Sequence, residues 1–315
     1  MRVFVTGASG HIGLPVVRDL LTAGHRVVGL ARSEASAERV SSAGAEVRRS
    51  TLDDLDRLRE AAKSADGVIH LAFKHDLALV SGDFMGAVTA DLRAVEAIGE
   101  ALAGSEKPFV NTSGTMLLAH SVRGRAGTEG DEGQEGGNPR VASEKLSLAF
   151  AKRGVRTSTI RLAPTVHSSL DHHGFIPMLV SAARKNGFSA YVADGSTRWP
   201  AVHTLDAARL YRLTLEAAPA GSHIHAAAEE GVPFRSIAEA IGRGLGVPAK
   251  SVPAEKAGEL FGGFVGMVAQ LDNPTSSART RELLGWKPTH AGLLEDIAEG
   301  HYFASMGVES RGETG

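Results

Sequence analysis

Gly7, Gly10 and Gly13 fall three residues apart in Thr6-Gly-Ala-Ser-Gly-His-Ile-Gly13. They follow the β-rich run Val3–Thr6 and precede the apolar helical positions Ile12, Val16, Val17, Leu20 and Leu21. Strand, glycine turn and helix in that order bring backbone N–H groups and a helix N-terminus against a pyrophosphate with no side chain between. Gly7, Ser9, Gly10, His11, Ile12 and Gly13 are therefore the expected phosphate-facing residues. About twenty residues on, a dinucleotide site carries a group that reads the adenosine ribose. Here Val27-Val-Gly-Leu-Ala ends in Arg32 and Ser33, with no carboxylate. A guanidinium binds phosphate through paired, charge-assisted hydrogen bonds, so the expected cofactor is NADP, ahead of NAD. Asp53 follows the third strand and reads either as an acceptor for the adenine amino group or as a helix N-cap. Leu71 and Ala72 end the fourth strand, where the chain passes beneath the cofactor.

These residues need a scaffold of alternating strands and helices. Strands are expected at Val3–Thr6, Arg26–Leu30, Ala45–Arg49, Gly67–Leu71, Pro108–Thr112 and Arg156–Leu162. Helices are expected at His11–Ala23, Glu34–Ala43, Leu55–Ala62, Gly82–Ala103 and Pro139–Arg153. This alternation predicts an α/β fold: a doubly wound parallel sheet of Rossmann type. The long Asp83–Ala103 helix reads as a packing helix or as part of a dimer bundle, so a homodimer is one of two readings. Ser121–Asn138 is rich in glycine and charge and follows a strand end; it reads as a flap over the site or as a solvated loop. Beyond Leu162, helical stretches at Phe175–Asn186, Thr204–Ala217, Phe234–Leu245, Ser276–Leu284 and Leu293–Ala304 predict a small C-terminal substrate lobe. The expected division is 1–165 for the nucleotide domain and 166–315 mainly for the lobe, with later segments returning to the first.

Composition narrows the function classes. The 315 residues are 43% hydrophobic and 22% charged, with a formal net charge of −2. That balance offers nucleic acid or an anionic membrane no electrostatic attraction. There is no cysteine, so thiolate metal sites and cysteine nucleophiles are excluded. No apolar run approaches the ~18 residues of a membrane span. No secretory leader pattern precedes the first strand, and a cytoplasmic protein acting on a small molecule is expected. His167, Asp171, His172, His173 and His203 match no metal-ligand spacing, and no metal is expected.

Taken together, these motifs resemble the short-chain dehydrogenase/reductase superfamily, in its extended epimerase/dehydratase-like branch. The carriers are Thr6–Gly13, Leu52-Asp53, His70-Leu-Ala72, Asn111-Thr-Ser113, Arg161–His167 and Trp199-Pro-Ala-Val-His203 with Asp206. The resemblance implies a catalytic serine or threonine, a tyrosine, and a lysine four residues later. The tyrosine moves a proton at the substrate oxygen while hydride passes between substrate carbon and nicotinamide. Ser113 matches the serine and Lys145 the lysine, as a catalytic or ribose-holding group. Four residues before Lys145 stands Val141, and Tyr191, Tyr211 and Tyr302 all lack a lysine at the required spacing. Another donor is required. The candidates are Ser113 through water, Tyr191 or a histidine of the second lobe, among which His203 is attractive because imidazole titrates near neutrality. Thr115, His167, Phe175 and Trp199 are expected to line the substrate pocket. The leading reading is an NADP-dependent reductase of a small carbonyl or imine compound. The alternatives are an NAD-dependent sugar-nucleotide epimerase/dehydratase and a non-catalytic NADP(H) sensor.

Overall fold

A computed structural model describes residues 1–304. Its centre is a parallel seven-stranded sheet in the order β10-β6-β5-β4-β1-β2-β3. The strands are β1 (Arg2–Thr6), β2 (Arg26–Ala31), β3 (Glu46–Arg49), β4 (Gly67–His70), β5 (Pro108–Gly114), β6 (Arg156–Leu162) and β10 (Ser222–Ala226). Inner strands β1, β2 and β4 are largely apolar because helices cover both faces, whereas β5 and β6 bury polar residues such as Asn111, Ser113, Thr157 and Thr159. α1 (Gly13–Thr22) and α7 (Thr204–Ala217) pack on one face, α3 (Leu55–Ser64), α4 (Phe84–Leu102) and α5 (Val141–Ala149) on the other. The first face buries Val16, Val17, Leu20, Leu210, Tyr211 and Trp286; the second buries Phe4, Leu58, Val95, Ile98 and Phe109. Each such side chain contributes about 1.5–3 kcal/mol on burial.

Helix starts follow from capping chemistry. Ser33 caps α2 (Glu34–Ser42), Asp54 caps α3 and Asp83 caps α4, each accepting a first-turn backbone N–H. Strand order reverses between β1 and β4, and the glycine turn lies at the carboxyl end of β1. That is the topological switch point where open α/β sheets bind ligands.

The second region has its own core of Ile176, Leu179, Trp199, Phe234, Ile237, Ile241, Leu293 and Ile297. It comprises β7 (Thr165–His167), α6 (Phe175–Asn186), β8 (Ser189–Val192), β9 (Arg198–His203), β11 (Glu229–Pro233), α8 (Phe234–Leu245) and β12 (Ala249–Val252). α9 (Ala257–Phe261), α10 (Gly263–Val268), α11 (Ala278–Leu284) and α12 (Leu293–Ala298) follow. β9 lies between β11 and β7, with His167 in register with His203. These short strands were absent from the expected set. The single helix expected over Leu293–Ala304 is broken at Gly300, which adopts φ +89° ahead of the turn His301–Phe303. No helix among the described residues is long and apolar enough to cross a membrane.

Candidate cofactor and substrate site

The glycine turn is built for close backbone approach. Gly7 has φ +68°, and a Cβ there would stand 2.8 Å from the Ala72 nitrogen. A Cβ on Gly13 would stand 2.0 Å from the Gly7 carbonyl oxygen. Side chains at either place would fill the cradle, so these residues fit a dinucleotide pyrophosphate. Ser9 and Ile12 lie half-buried on the turn, and Gly10 is exposed. Thr6 joins the ends of β1 and β4. Its hydroxyl accepts from the Ala72 N–H at 3.2 Å and donates to His70 Nδ1 at 2.7 Å. That assignment leaves the His70 proton on Nε2, which donates to Asp91 at 3.3 Å. Burial pushes the Asp91 carboxyl up, but the His70 hydrogen bond and the Arg140 charge outweigh it and hold the group below its ordinary value. Leu71 lies half-buried above this joint, its N–H on the Thr6 carbonyl.

At the adenosine end, the carboxyl ends of β2, β3 and β4 present three cations. Each meets a carboxylate: Arg32 with Asp76 at 2.8 Å, Arg49 with Glu34 at 2.5 Å, and Lys74 with Asp53 at 2.7 Å. Arg32 thus already has an anionic partner where the sequence suggested a 2′-phosphate. Ser33 spends its hydroxyl on the α2 cap, accepting from Ser36 N at 3.2 Å. Asp54, not Asp53, caps α3, accepting from Arg57 N.

At the reaction end, Ser113 is buried at the carboxyl end of β5 and its Oγ has no hydrogen-bond partner. Asn111 on the same strand is buried with both side-chain polar atoms unpartnered. Thr115 is fully buried and accepts from Asn273 Nδ2 at 2.9 Å, which ties the sheet to the second region. Val141 is buried at the start of α5. Lys145, one turn on, is exposed and bonded to Glu135 at 2.6 Å, which raises its pKa. Sequence reasoning missed Arg140, the residue before Val141. Its Nη2 donates to the Thr112 carbonyl at 2.9 Å, and its guanidinium lies 4.5 Å from the Phe73 ring centroid. No local signal marks it, because its partners Thr112 and Phe73 are distant in the chain.

The histidines form a separate layer. His11 bonds Thr204 Oγ1 at 2.8 Å, and burial lowers its pKa to about 4. His203 caps α7, with Nδ1 accepting from Leu205 N, and stacks on His290 at 4.6 Å. Burial, then the neighbouring His167 and His290, take His203 to about 4, so it is neutral at pH 7. His167 is buried, with Nδ1 3.1 Å from Asp296 Oδ2. Phe175 packs 5.3 Å from Trp199, which is itself buried in the second core against Phe234. The Ser121–Asn138 segment is mostly exposed but is anchored at buried points. Buried Glu129 accepts from Thr280 N and Oγ1, each at 2.7 Å. The Asp131 carbonyl accepts from Arg161, whose buried guanidinium also grips Glu144. Among the cations of the second region, Arg198 is paired with Asp272 and Arg184 donates to the Phe303 carbonyl, while Lys185 is exposed.

Residues 3–227 match the NAD dependent epimerase/dehydratase family. The chain is 48% identical to the uncharacterized protein C2A9.02 of Schizosaccharomyces pombe, over 96% of this chain and all of that one. Among solved structures, it resembles the dTDP-glucose 4,6-dehydratase DesIV of Streptomyces venezuelae with NAD and DAU bound. The TM-score is 0.77 at 18% identity, covering 97% and 98% of the two chains. It also resembles a UDP-glucuronic acid 4-epimerase of Bacillus cereus in complex with UDP-glucuronic acid and NAD, at TM-score 0.68 and 18% identity over 96% and 98%. These neighbours hold NAD and act on nucleotide sugars. They correct the expectations of NADP and of carbonyl or imine reduction, and Arg32, neutralised by Asp76, gives the physical reason on the cofactor side. The chain belongs to the NAD-dependent epimerase/dehydratase family of the short-chain dehydrogenase/reductase superfamily and is an NAD(P)-dependent enzyme.

Proposed function

We propose that the protein performs NAD-dependent epimerase or dehydratase chemistry on a nucleotide-linked sugar. The observation that carries this reading is the adenosine end. Arg32, Arg49 and Lys74 are each matched by a carboxylate, which leaves no net positive charge for a 2′-phosphate and favours the unphosphorylated ribose. NAD, when bound, supplies the hydride acceptor for a ring carbinol carbon and the hydride donor for the return step. Gly7, Ser9, Gly10, His11, Ile12 and Gly13 hold the pyrophosphate; Leu71 and Ala72 floor the site. Ser113 Oγ hydrogen-bonds the reacting oxygen. Arg140, anchored on the carbonyl next to Ser113, favours the alkoxide form of that oxygen in the absence of a tyrosine. His203, neutral at pH 7, orients α7 through its cap. Residues 166–315 supply most of the substrate contacts, including Thr115's partner Asn273. The enzyme works in the cytoplasm as a homodimer in this reading.

The test is to denature the purified protein, identify the released nucleotide, and incubate fresh protein with UDP- and dTDP-hexoses under NMR observation. About one NAD per chain together with a 4-epimer or a 4-keto-6-deoxy sugar supports the proposal. Retained NADP, or NAD with no change in any nucleotide sugar, overturns it.

A further inference from the structure

A second cluster of chemically able groups lies away from the glycine turn, where the C-terminal segment meets β7. The break at Gly300 folds the chain back, so that donor atoms of Asp296, Glu299 and His301 lie within 4.8 Å of one another. His167, the last residue of β7, reaches the same place from the sheet side. Its Nδ1 is 3.1 Å from Asp296 Oδ2, and His301 Nε2 is 3.6 Å from that same oxygen. The His167 and Asp296 side chains are 1% and 3% exposed, so solvent does not satisfy them. Yet His167 Nδ1 and Nε2, Asp296 Oδ2 and His301 Nε2 all lack a hydrogen-bond partner.

Buried polar atoms are nearly always bonded, so four orphans in one place require an explanation. The 3.1 Å His167–Asp296 separation makes no hydrogen bond despite being within reach, and the 3.6 Å His301–Asp296 separation is beyond reach. Nitrogen and oxygen lone pairs at such distances, not directed at each other, suit a shared third centre. In a tetrahedral site with bonds of about 2.0–2.1 Å, neighbouring donors stand about 3.3 Å apart, and the 3.6 Å between His301 Nε2 and Asp296 Oδ2 is close to that spacing.

We propose that Asp296, Glu299 and His301 form a binding site for a divalent transition-metal ion, with buried His167 holding Asp296 in place from the β7 side. An imidazole with carboxylate oxygens suits zinc, cobalt or a similar ion. Calcium asks for six to eight oxygens and magnesium for an octahedral oxygen shell, which this set does not supply. The ion would tie α12 and the following turn to β7. From there the tie continues through Ser168 Oγ to Thr204 Oγ1 at 2.9 Å, and from Thr204 to His11 of the glycine turn. The site owes nothing to the choice of cofactor or sugar and stands or falls independently of the proposed function.

The experiment uses the full-length protein, stripped by chelator and dialysed, then titrated with Zn²⁺ or Co²⁺. Metal content, calorimetry and the cobalt visible spectrum are the readouts. One ion per chain, a cobalt spectrum of tetrahedral type, and affinity reduced at least about tenfold in His301→Ala and in Asp296→Asn support the site. His172→Ala/His173→Ala, which removes two exposed histidines outside the cluster, is expected to bind as the unaltered protein does. Circular dichroism confirms that each variant is folded. Sub-stoichiometric uptake, undiminished binding by folded His301→Ala and Asp296→Asn, or competition by equimolar Mg²⁺ overturns the proposal.

Discussion

The adenosine end and the histidine layer solve the problem of charge in opposite ways. At the adenosine end, exposed cations are each matched with a carboxylate, and Arg32 and Asp76 keep 64% and 56% of their side-chain surface in water. Such pairs are worth little to stability, about 0–1 kcal/mol. In the histidine layer, burial decides. It drives His11 and His203 down to about 4 and Asp171 up to about 6. One region is tuned for selectivity at the surface; the other stores its electrostatics in folding. The first should therefore respond to substitution in cofactor choice, and the second in stability against pH.

The largest effect is expected at the joint between the two regions. Gly13→Ala forces a methyl into the Gly7 carbonyl, and NAD affinity should fall by more than about a hundredfold. Calorimetry on folded protein checks this, and an unchanged affinity would remove the glycine turn from the site. Arg140→Met should come next. It removes the cation over Phe73 while keeping much of the side-chain bulk, and turnover should fall about a hundredfold. Steady-state kinetics should place the loss in kcat rather than KM.

Asp76→Ala should then sharpen the contrast. Freeing Arg32 from its partner should raise NADP affinity relative to NAD about tenfold, with little change in melting temperature. Equal ratios before and after would mean that Asp76 does not control the choice.

The histidine layer responds to pH with opposing signs. His11 and His203 have folded pKa values depressed below the unfolded value, so their contribution is present above about 6.5 and is lost as pH falls toward 4. Asp171 is raised by burial, so its contribution is present below about 4 and is lost as pH rises through 6. Between pH 7 and pH 5, acidification costs stability at the histidines and recovers part of it at Asp171. Asp171→Asn, which keeps the acceptor for the Gly174 and His173 N–H groups, should widen the melting-temperature gap between pH 7 and pH 5. Thermal unfolding at the two values decides it; a narrower gap would reverse the sign assigned to Asp171. The smallest effect is expected for Lys145→Ala. Its exposed pair with Glu135 should shift the melting temperature by no more than about a few degrees.

What the sequence revealed divides along a physical line. The glycine turn was legible because the requirement for a missing Cβ is local, visible in Gly7 and Gly13 themselves. The strands of the main sheet were legible because burial on both faces forces apolar runs such as Val27–Ala31. Arg32 misled because its type is local and its partner is not: Asp76 lies 44 residues away. Glu129 lies in a stretch whose composition suggests solvent, and its partner Thr280 is 151 residues distant. β7 and β9 escaped notice because three residues in the one and Trp199-Pro200 in the other give too short and broken an alternation. His167 meets Asp296 from more than a hundred positions away, which no spacing rule can reveal.

The most direct test of the central claim is to titrate nucleotide-free protein with NAD and NADP side by side, and to repeat it with Asp76→Ala. The account predicts that the unaltered protein prefers NAD and that Asp76→Ala moves the preference toward NADP. Preference for NADP in the unaltered protein, unmoved by removal of Asp76, would contradict it.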